Sequence, residues 1–297
     1  MYDRVLVPVD GSDCSIAAAR EAAVVADVCD ARVRLAHVLS RSAVRGEGVD
    51  PETADEAALR ELAADALDDA ERSLDAAGVP TDAVVRVGDA ADEIQSMLAA
   101  GDADLVAMGT HGRTGVRRFL LGSVAERVVR TAPVPVITTR ARPAEDCGPY
   151  EEILLPTDGT DASLTGVESG LDVAEAFDAR VHVLYVVDRR LLSSSVDVGP
   201  ALADAEERLR TRGDRAVAAV ADRAAERGVE ATTAVVEGVP HSRIRSYVTD
   251  RGVDFVAMGT HGKTGTDRWL TGSVAEQILR TSPVPVLVGR PKANAPE

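Results

Sequence analysis

The sequence predicts an α/β protein of two tandem domains, each an open five-stranded parallel sheet flanked by helices. Short apolar runs rich in β-branched residues alternate with longer, alanine-rich charged stretches, which is typical of β-α-β units. The alternation occurs twice, because the second half of the chain repeats the first in the same order. The 297 residues are enough for two domains that each bury their own core.

The repeat is clearest in two stretches. "DRVLVPVDGSD" at Asp3–Asp13 matches "EEILLPTDGTD" at Glu151–Asp161, and "MGTHGRTGVRRFLLGSVAERVVRTAPVPV" from Met108 returns from Met258 as "MGTHGKTGTDRWLTGSVAEQILRTSPVPV". The period is far longer than the roughly 20 to 50 residues of solenoid repeats, so it indicates a tandem duplication. We therefore expect domains at residues 1–141 and 150–291, a proline-, glycine- and acid-rich linker at 142–149, and a tail at 292–297.

Each half should contain five strands and four helices. In the first half the predicted strands are Arg4–Val9, Arg32–Leu39, Ala83–Val87, Asp104–Met108 and Val134–Thr139. The predicted helices span about 12–28, 51–77, 90–100 and 123–131. The first and last of them open on Ser12 and Ser123, because serine is a favoured N-cap.

The fifth strand of each half begins with "PVPV" and therefore belongs at a sheet edge, since proline has no N–H to donate to a neighbouring strand. An apolar edge at Val134, Val136 and Ile137 would be a liability unless another strand covers it. The second half repeats this edge. We therefore predict that the two fifth strands pack together as an intrachain pseudo-dimer, with pairing between chains in a homodimer as the alternative.

The charge balance argues against nucleic acid as a partner. The chain has 49 acidic and 33 basic residues, a net charge of −16, and lysine only at Lys263 and Lys292. A phosphate backbone would be repelled at long range. We interpret the excess of carboxylates as an adaptation to a cytoplasm rich in salt, where repulsion is screened.

A cytoplasmic location without a membrane partner is expected. No apolar run approaches the roughly 18 residues that a transmembrane helix needs, and "MYDRVLVPVDGS" lacks the regions of a signal peptide. Cys14, Cys29 and Cys147 form no CxxC pair, so we expect reduced thiols and no metal site.

The repeated glycine-rich stretch connects a predicted strand to a predicted helix. Glycines 109, 112, 115 and 122 let a ligand approach the backbone, and the first N–H groups of the following helix lack partners within it. With the helix dipole these donors favour phosphate. The loop is cationic in an acidic protein, through Arg113, Arg117 and Arg118 in the first copy and through Lys263 and Arg268, offset by Asp267, in the second.

A capping box is predicted at the start of the same helix. Ser123 and Glu126, like Ser273 and Glu276, fit the pattern S-x-x-E, in which the serine oxygen accepts from the helix backbone. This role is compatible with phosphate binding, because a hydroxyl can donate its proton while it accepts.

The glycine spacing is neither a Walker A loop nor a Rossmann fingerprint. It reads Gly109-x2-Gly112-x9-Gly122-Ser123, and returns as Gly259-x2-Gly262-x9-Gly272-Ser273. With a "PVDGS"-like first strand in each half, the chain resembles the universal stress protein family in its tandem form, over essentially both halves. Members of the family's ATP-binding branch carry G-x2-G-x9-G-[S/T] between strand four and helix four. The resemblance implies a Rossmann-like fold akin to adenine nucleotide α-hydrolases, with strand order 3-2-1-4-5 and the nucleotide between the ends of strands one and four.

The resemblance also implies roles for single residues. Backbone around Val38 would recognise adenine, Asp10 would lie beside the nucleoside, and Ser123 with Val124 would donate to phosphates. The predicted binding set is Pro8, Val9, Asp10, Val38, Met108, Gly109, His111, Gly112, Arg113, Gly122, Ser123 and Val124 in the first half, and Pro156, Thr157, Asp158, Val186, Met258, Gly259, His261, Gly262, Lys263, Gly272, Ser273 and Val274 in the second. The implied ligand is ATP, ADP or AMP, alone or with Mg²⁺.

Several of these residues have plainer interpretations. Asp10 could cap a turn before the first helix, and Val38 could be a core residue rather than a ligand contact. His111 and His261 could act as acid or base, but loop histidines with no recognisable partner more often lie at the surface or contact phosphate. We assign no catalytic residue.

Three functions stay open at this point. The leading hypothesis is a cytoplasmic stress or regulatory protein that binds an adenine nucleotide in each half, more tightly in the first because its loop carries more positive charge. The second is slow ATP hydrolysis or a reaction at the nucleotide α-phosphate. The third is an interaction protein whose glycine loops only maintain the fold.

Overall fold

The computed structural model describes residues 1–112, 121–188, 190, 199–259 and 273–290, without the side chains of 199–205 and 273. The chain divides into two units, Met1–Pro149 and Tyr150–Arg290. Each unit contributes five parallel strands, as the α/β prediction requires.

The first unit has the strand order β3-β2-β1-β4-β5. Its strands are β1 (Arg4–Pro8), β2 (Arg32–Leu39), β3 (Thr81–Val87), β4 (Leu105–Gly109) and β5 (Val136–Thr139). Its helices are α1 (Asp13–Cys29), α2 (Arg41–Gly46), α3 (Glu56–Ala77), α4 (Ala90–Ala99) and α5 (Ser123–Thr131).

Three boundaries in the first unit differ from the prediction by two residues or more, and one of them is the start of β3, at Thr81 rather than Ala83. The second predicted helix was placed from Pro51, but α3 begins at Glu56, because the Asp55 carboxylate accepts from the Ala58 amide at 2.8 Å and caps the helix there. The short helix α2 was not predicted at all. The fifth strand begins at Val136 rather than Val134, although the Pro135 carbonyl already accepts from the Val106 amide of β4 at 3.1 Å.

The second unit has the equivalent order β8-β7-β6-β9-β10. Its strands are β6 (Glu152–Thr157), β7 (Arg180–Val187), β8 (Ala231–Glu237), β9 (Phe255–Met258) and β10 (Val286–Val288). Its helices are α6 (Asp161–Phe177), α7 (Gly199–Glu226), α8 (Pro240–Arg251) and α9 (Ser273–Thr281).

The cores form where the apolar strands meet the small-residue faces of the helices. Val5, Leu6 and Val7 of β1 are fully buried, and alanines on the inner face of α1 allow that helix to pack closely on the sheet. In the second unit, Tyr150 lies 4.7 Å from the ring of Phe177 and 4.2 Å from that of Phe255. No helix in the described ranges is both long and apolar enough to cross a membrane.

The predicted linker is folded onto the first unit. A 3₁₀ turn spans Ala144–Asp146, and the guanidinium of Arg142 contacts the carboxylate of Glu21 in α1 at 3.1 Å. The Glu21 side chain is completely buried and that of Arg142 is 14% exposed. Burial, and then the Glu21 charge, raise the pKa of the Cys147 thiol to about 11. A buried carboxylate therefore holds this segment against α1.

Candidate functional site

The predicted site lies where the chain direction reverses. From β1 the chain passes to β2 on one side, whereas β4 leads to β5 on the other, so the connections that leave β1 and β4 diverge at the same end of the sheet. In parallel sheets such a crevice is the usual place for a ligand. Asp10 follows β1, and Gly109 closes β4. The structure thus brings together two segments that are about a hundred residues apart.

Asp10 organises the turn between β1 and α1. Its Oδ1 accepts from the Ser12 amide at 3.1 Å and from the Ser12 hydroxyl at 2.6 Å. Ser12 in turn accepts from the Ser15 amide at 3.2 Å, which makes it the N-cap of α1, as predicted. Asp10 therefore has the turn-capping role given above as the plainer interpretation, and its direct contact with a ligand stays a prediction.

The glycine loop has a closed neck. The Gly122 amide donates to the Thr110 carbonyl at 2.8 Å, so the two ends of the loop meet, and the Thr110 amide donates to Thr139 of β5 at 2.9 Å. The Ser12 hydroxyl lies 3.3 Å from the His111 carbonyl, which links the neck to α1. Residues 113–120, including Arg113, Arg117 and Arg118, lie outside the described residues.

The first two motif glycines are needed for packing within the protein. A Cβ at Gly109 would lie 2.7 Å from the Cβ of Cys14, and one at Gly112 would lie 2.4 Å from Oδ2 of Asp10. Both distances are shorter than real Cβ contacts, so a side chain at Gly109 would push against the start of α1, whereas one at Gly112 would displace the Asp10 carboxylate. A Cβ at Gly122 would meet only the Thr110 carbonyl oxygen, at 3.3 Å. The motif therefore keeps the loop close to α1.

The predicted capping box is wrong in the first unit. The N-cap of α5 is Gly122, without a side-chain cap, and Ser123 is already the first helical residue and exposed. The Glu126 amide donates to the Gly122 carbonyl at 2.8 Å, which sets the helix start one residue earlier than the box requires. Because the first amides of a helix lack partners within it, those of Ser123 and Val124 are suited to an anion at this helix end.

The strand-two valines lie near the carboxyl end of their strands, each on the side of its own unit's crevice. Val38 in β2 and Val186 in β7 are both half-buried, so neither is a pure core residue. Next to Val38, Nδ1 of His37 lies 2.7 Å from the Val9 carbonyl and ties β2 to the end of β1. The predicted Pro8 and Met108 end or nearly end their strands, and Met108 is buried.

The described part of the second unit repeats this arrangement. Oδ1 of Asp158 accepts from the Thr160 amide at 3.0 Å and from its hydroxyl at 2.6 Å. Thr157 replaces Val9 and adds a hydroxyl contact to the Gly159 amide at 3.1 Å. A Cβ at Gly259 would lie 2.1 Å from the carbonyl oxygen of Ala162, the residue equivalent to Cys14. Gly259 is therefore as close to α6 as Gly109 is to α1. Pro156 and Met258 occupy the same strand ends as in the first unit.

The remaining residues predicted for the second site belong to the loop before α9 and to the first turn of that helix. His261, Gly262, Lys263 and Gly272 lie outside the described residues, as does the side chain of Ser273. Val274 is half-buried in the first turn of α9. The predicted difference in loop charge between the copies, which includes Asp267 and Arg268, thus stays a prediction.

His182 in β7 and His111 in the loop neck differ in their surroundings. His182 is buried near the start of β7, where Nε2 lies 2.8 Å from Glu152 and Nδ1 lies 3.0 Å from the Thr232 hydroxyl. These contacts lie at the opposite end of the strands from the crevice. In the loop neck, Nδ1 of His111 lies 2.9 Å from the Thr110 hydroxyl.

The sequence did not predict two contacts of the loop neck, that of the Ser12 hydroxyl with His111 and that of Thr110 with Gly122. A signal for the first was present, since "DGS" and "DGT" follow the first strand of both copies, but it was interpreted only as a helix cap. Thr110 also recurs, as Thr260 in the second copy, but its contact depends on the return of the chain at Gly122.

Comparison with known proteins agrees with this architecture. The model of the "Universal stress protein family" matches residues 1–140 and again 149–290. A universal stress protein of Methanocaldococcus jannaschii is 40% identical over 142 residues, 47% of this chain and 81% of that protein. One of Mycolicibacterium smegmatis is 25% identical over 97% of both chains. The crystal structure of a universal stress protein from Archaeoglobus fulgidus covers 97% of this chain and 98% of its own, with a TM-score of 0.68 at 21% identity, and so matches in fold. With the family model matched twice, the chain belongs to the universal stress protein family.

Proposed function

We propose that this protein binds ATP or another adenine nucleotide in each unit and acts in the cytoplasm as a stress-response or regulatory binder. One observation supports the proposal most strongly. The Asp10 turn, the glycine-loop neck and the start of α5 converge at the crevice where the strand order reverses, and the described half of this arrangement recurs at Asp158 and Gly259.

In the proposed complex, the parts of the nucleotide lie against different groups. The nucleoside lies beside Asp10, with adenine against the backbone near Val38. The phosphates lie against the amides at the start of α5, where the helix dipole favours negative charge. The exposed hydroxyl of Ser123 adds a donor at that helix end. A Mg²⁺ ion, if it accompanies the nucleotide, would neutralise phosphate charge.

We propose binding without turnover, because the glycine motif contains no recognisable nucleophile–base pair. In the described part of the neck, His111 has acid–base chemistry, and its Nδ1 lies 2.9 Å from the Thr110 hydroxyl. We therefore propose a retained nucleotide, not a rapidly hydrolysed one. The association of the two fifth strands as an intrachain pseudo-dimer stays a prediction.

Mass spectrometry of nucleotide released from the purified protein tests the proposal. Recovered ATP that persists on incubation supports a binder. ADP or AMP that accumulates over time favours slow hydrolysis or α-phosphate chemistry. If no nucleotide is recovered even after incubation with ATP, the proposal is wrong and the loops serve only the fold.

A further inference from the structure

Ser12 lies between the nucleoside side and the phosphate side of the proposed site. It is not among the residues to which the family resemblance gives a role. Its hydroxyl lies 2.6 Å from Oδ1 of Asp10, on the nucleoside side, and 3.3 Å from the His111 carbonyl, on the phosphate side. Both neighbours are acceptors, whereas a serine hydroxyl has one proton to donate. The same oxygen accepts from the Ser15 amide at 3.2 Å, which fixes its position at the start of α1.

We propose that Ser12 is a positioning residue that couples the orientation of Asp10 to the position of the glycine-loop neck. This inference rests on the proposed nucleotide site. Because its contact with Asp10 is the shorter one, the Ser12 hydroxyl donates mainly to Oδ1 of Asp10. Its hydrogen bond to the His111 carbonyl is the weaker of the two. When a ligand hydroxyl donates to Asp10, the Ser12 proton can turn to the carbonyl and hold the neck for the phosphates.

The close approach of the loop explains why such a positioning group matters. A Cβ built on Gly112 would lie 2.4 Å from Oδ2 of Asp10, so the loop neck and this carboxylate are close neighbours. The second unit has Thr160 at the equivalent position, and its hydroxyl also lies 2.6 Å from the aspartate. A hydroxyl two residues after the aspartate is therefore the feature that the two copies share.

The test compares ATP with adenosine, which lacks phosphates, in the full chain. Binding is measured by ligand-dependent hydrogen exchange in peptides within residues 1–30, which report on the first unit alone. Ser12→Gly removes the hydroxyl at small cost to the helix, since glycine is a tolerated N-cap. Ser12→Thr keeps the hydroxyl, and Ser73→Ala removes a serine of the same unit that bonds only within α3 in the described structure.

We expect Ser12→Gly to weaken ATP binding roughly fivefold and adenosine binding less than twofold, the size of one lost hydrogen bond. Ser12→Thr and Ser73→Ala should bind both ligands like the wild type. A merely structural cap would lower stability without changing the ratio of the two affinities. Equal loss for ATP and adenosine, or no loss of ATP, would overturn the role of Ser12. A wild-type chain that binds neither ligand would overturn the proposed function, and this inference with it.

Discussion

The first helix of each unit meets its sheet through different residues. In α1 the inner positions are Ala18 and Ala22, both fully buried, whereas α6 has Gly166 and Gly170 there. A Cβ at Gly166 would lie 2.0 Å from the carbonyl carbon of Met258, so α6 packs directly on the backbone of β9. At the start of the helices, by contrast, both units place the same glycine at the end of the fourth strand. The copies differ in this helix–sheet contact, whereas the described parts of the two crevices are alike.

A second difference concerns the segment after the first unit. Glu21 in α1 is buried against Arg142, but the equivalent residue of α6 is Ser169, whose hydroxyl only bonds back to Thr165 at 3.0 Å. The buried acid thus occurs in the copy that is followed by the linker. We interpret Glu21 as an anchor for the linker rather than as part of the domain fold.

The largest expected effect is that of Arg142→Ala. It removes the guanidinium that contacts the buried Glu21 carboxylate, which should lower the free energy of unfolding of the first unit by about 3 kcal/mol. Hydrogen exchange of α1 peptides in the full chain measures this value. Ser169→Ala, at the equivalent position, should cost less than about 1 kcal/mol. Glu21→Gln combined with Arg142→Ala should recover part of the loss, and equal stability of Arg142→Ala and the wild type would contradict the anchor.

The glycine contact of α6 predicts the next effect. Gly166→Ala should destabilise the second unit by about 3 kcal/mol, because the new methyl group would meet the backbone of β9. The reciprocal change, Ala18→Gly, should cost the first unit about 1 to 2 kcal/mol, through helix propensity and the loss of one buried methyl group. Urea denaturation followed by circular dichroism measures both. If Gly166→Ala leaves the free energy of unfolding unchanged, α6 has room for a methyl group as α1 has. The claimed difference between the two helices would then be wrong.

The motif glycines should differ in their effect on stability, because their nearest neighbours differ. Gly109→Ala should lower stability by about 2 kcal/mol as well as weaken ATP binding, since its Cβ would meet Cys14. Gly122→Ala should change stability by less than about 1 kcal/mol, because its nearest neighbour is 3.3 Å away and its φ of −62° suits alanine. Thermal unfolding with and without ATP measures both variants. A Gly109→Ala protein that is fully stable but does not bind ATP would show that this glycine serves only the ligand.

The smallest predicted effect concerns the surface charge that both units share. If the net charge of −16 is an adaptation to salt, molar KCl should raise the free energy of unfolding by about 1 kcal/mol over low salt. Urea denaturation at the two salt concentrations measures the difference. Equal stability at low and high salt would exclude the adaptation.

The sequence predicted the strands, most helices and the position of the loops, because apolar periodicity and a long internal repeat determine these features. It did not predict that Gly122 rather than Ser123 caps α5, since S-x-x-E fits two registers and only the tertiary position of the loop neck selects one. The hydroxyl of Ser12 was recognised as a cap, but its contact with His111 depends on a residue 99 positions away. Glu21 and Arg142 gave no local signal, since a helical glutamate is normally exposed.

The most direct test of the central claim is native mass spectrometry of the full chain during a titration with ATP. The account predicts up to two bound nucleotides per chain, and the first should protect peptides of the first unit in parallel hydrogen-exchange measurements. A chain that remains free of nucleotide at millimolar ATP would contradict the proposed function. Protection that begins in the second unit would contradict the predicted order of the two sites.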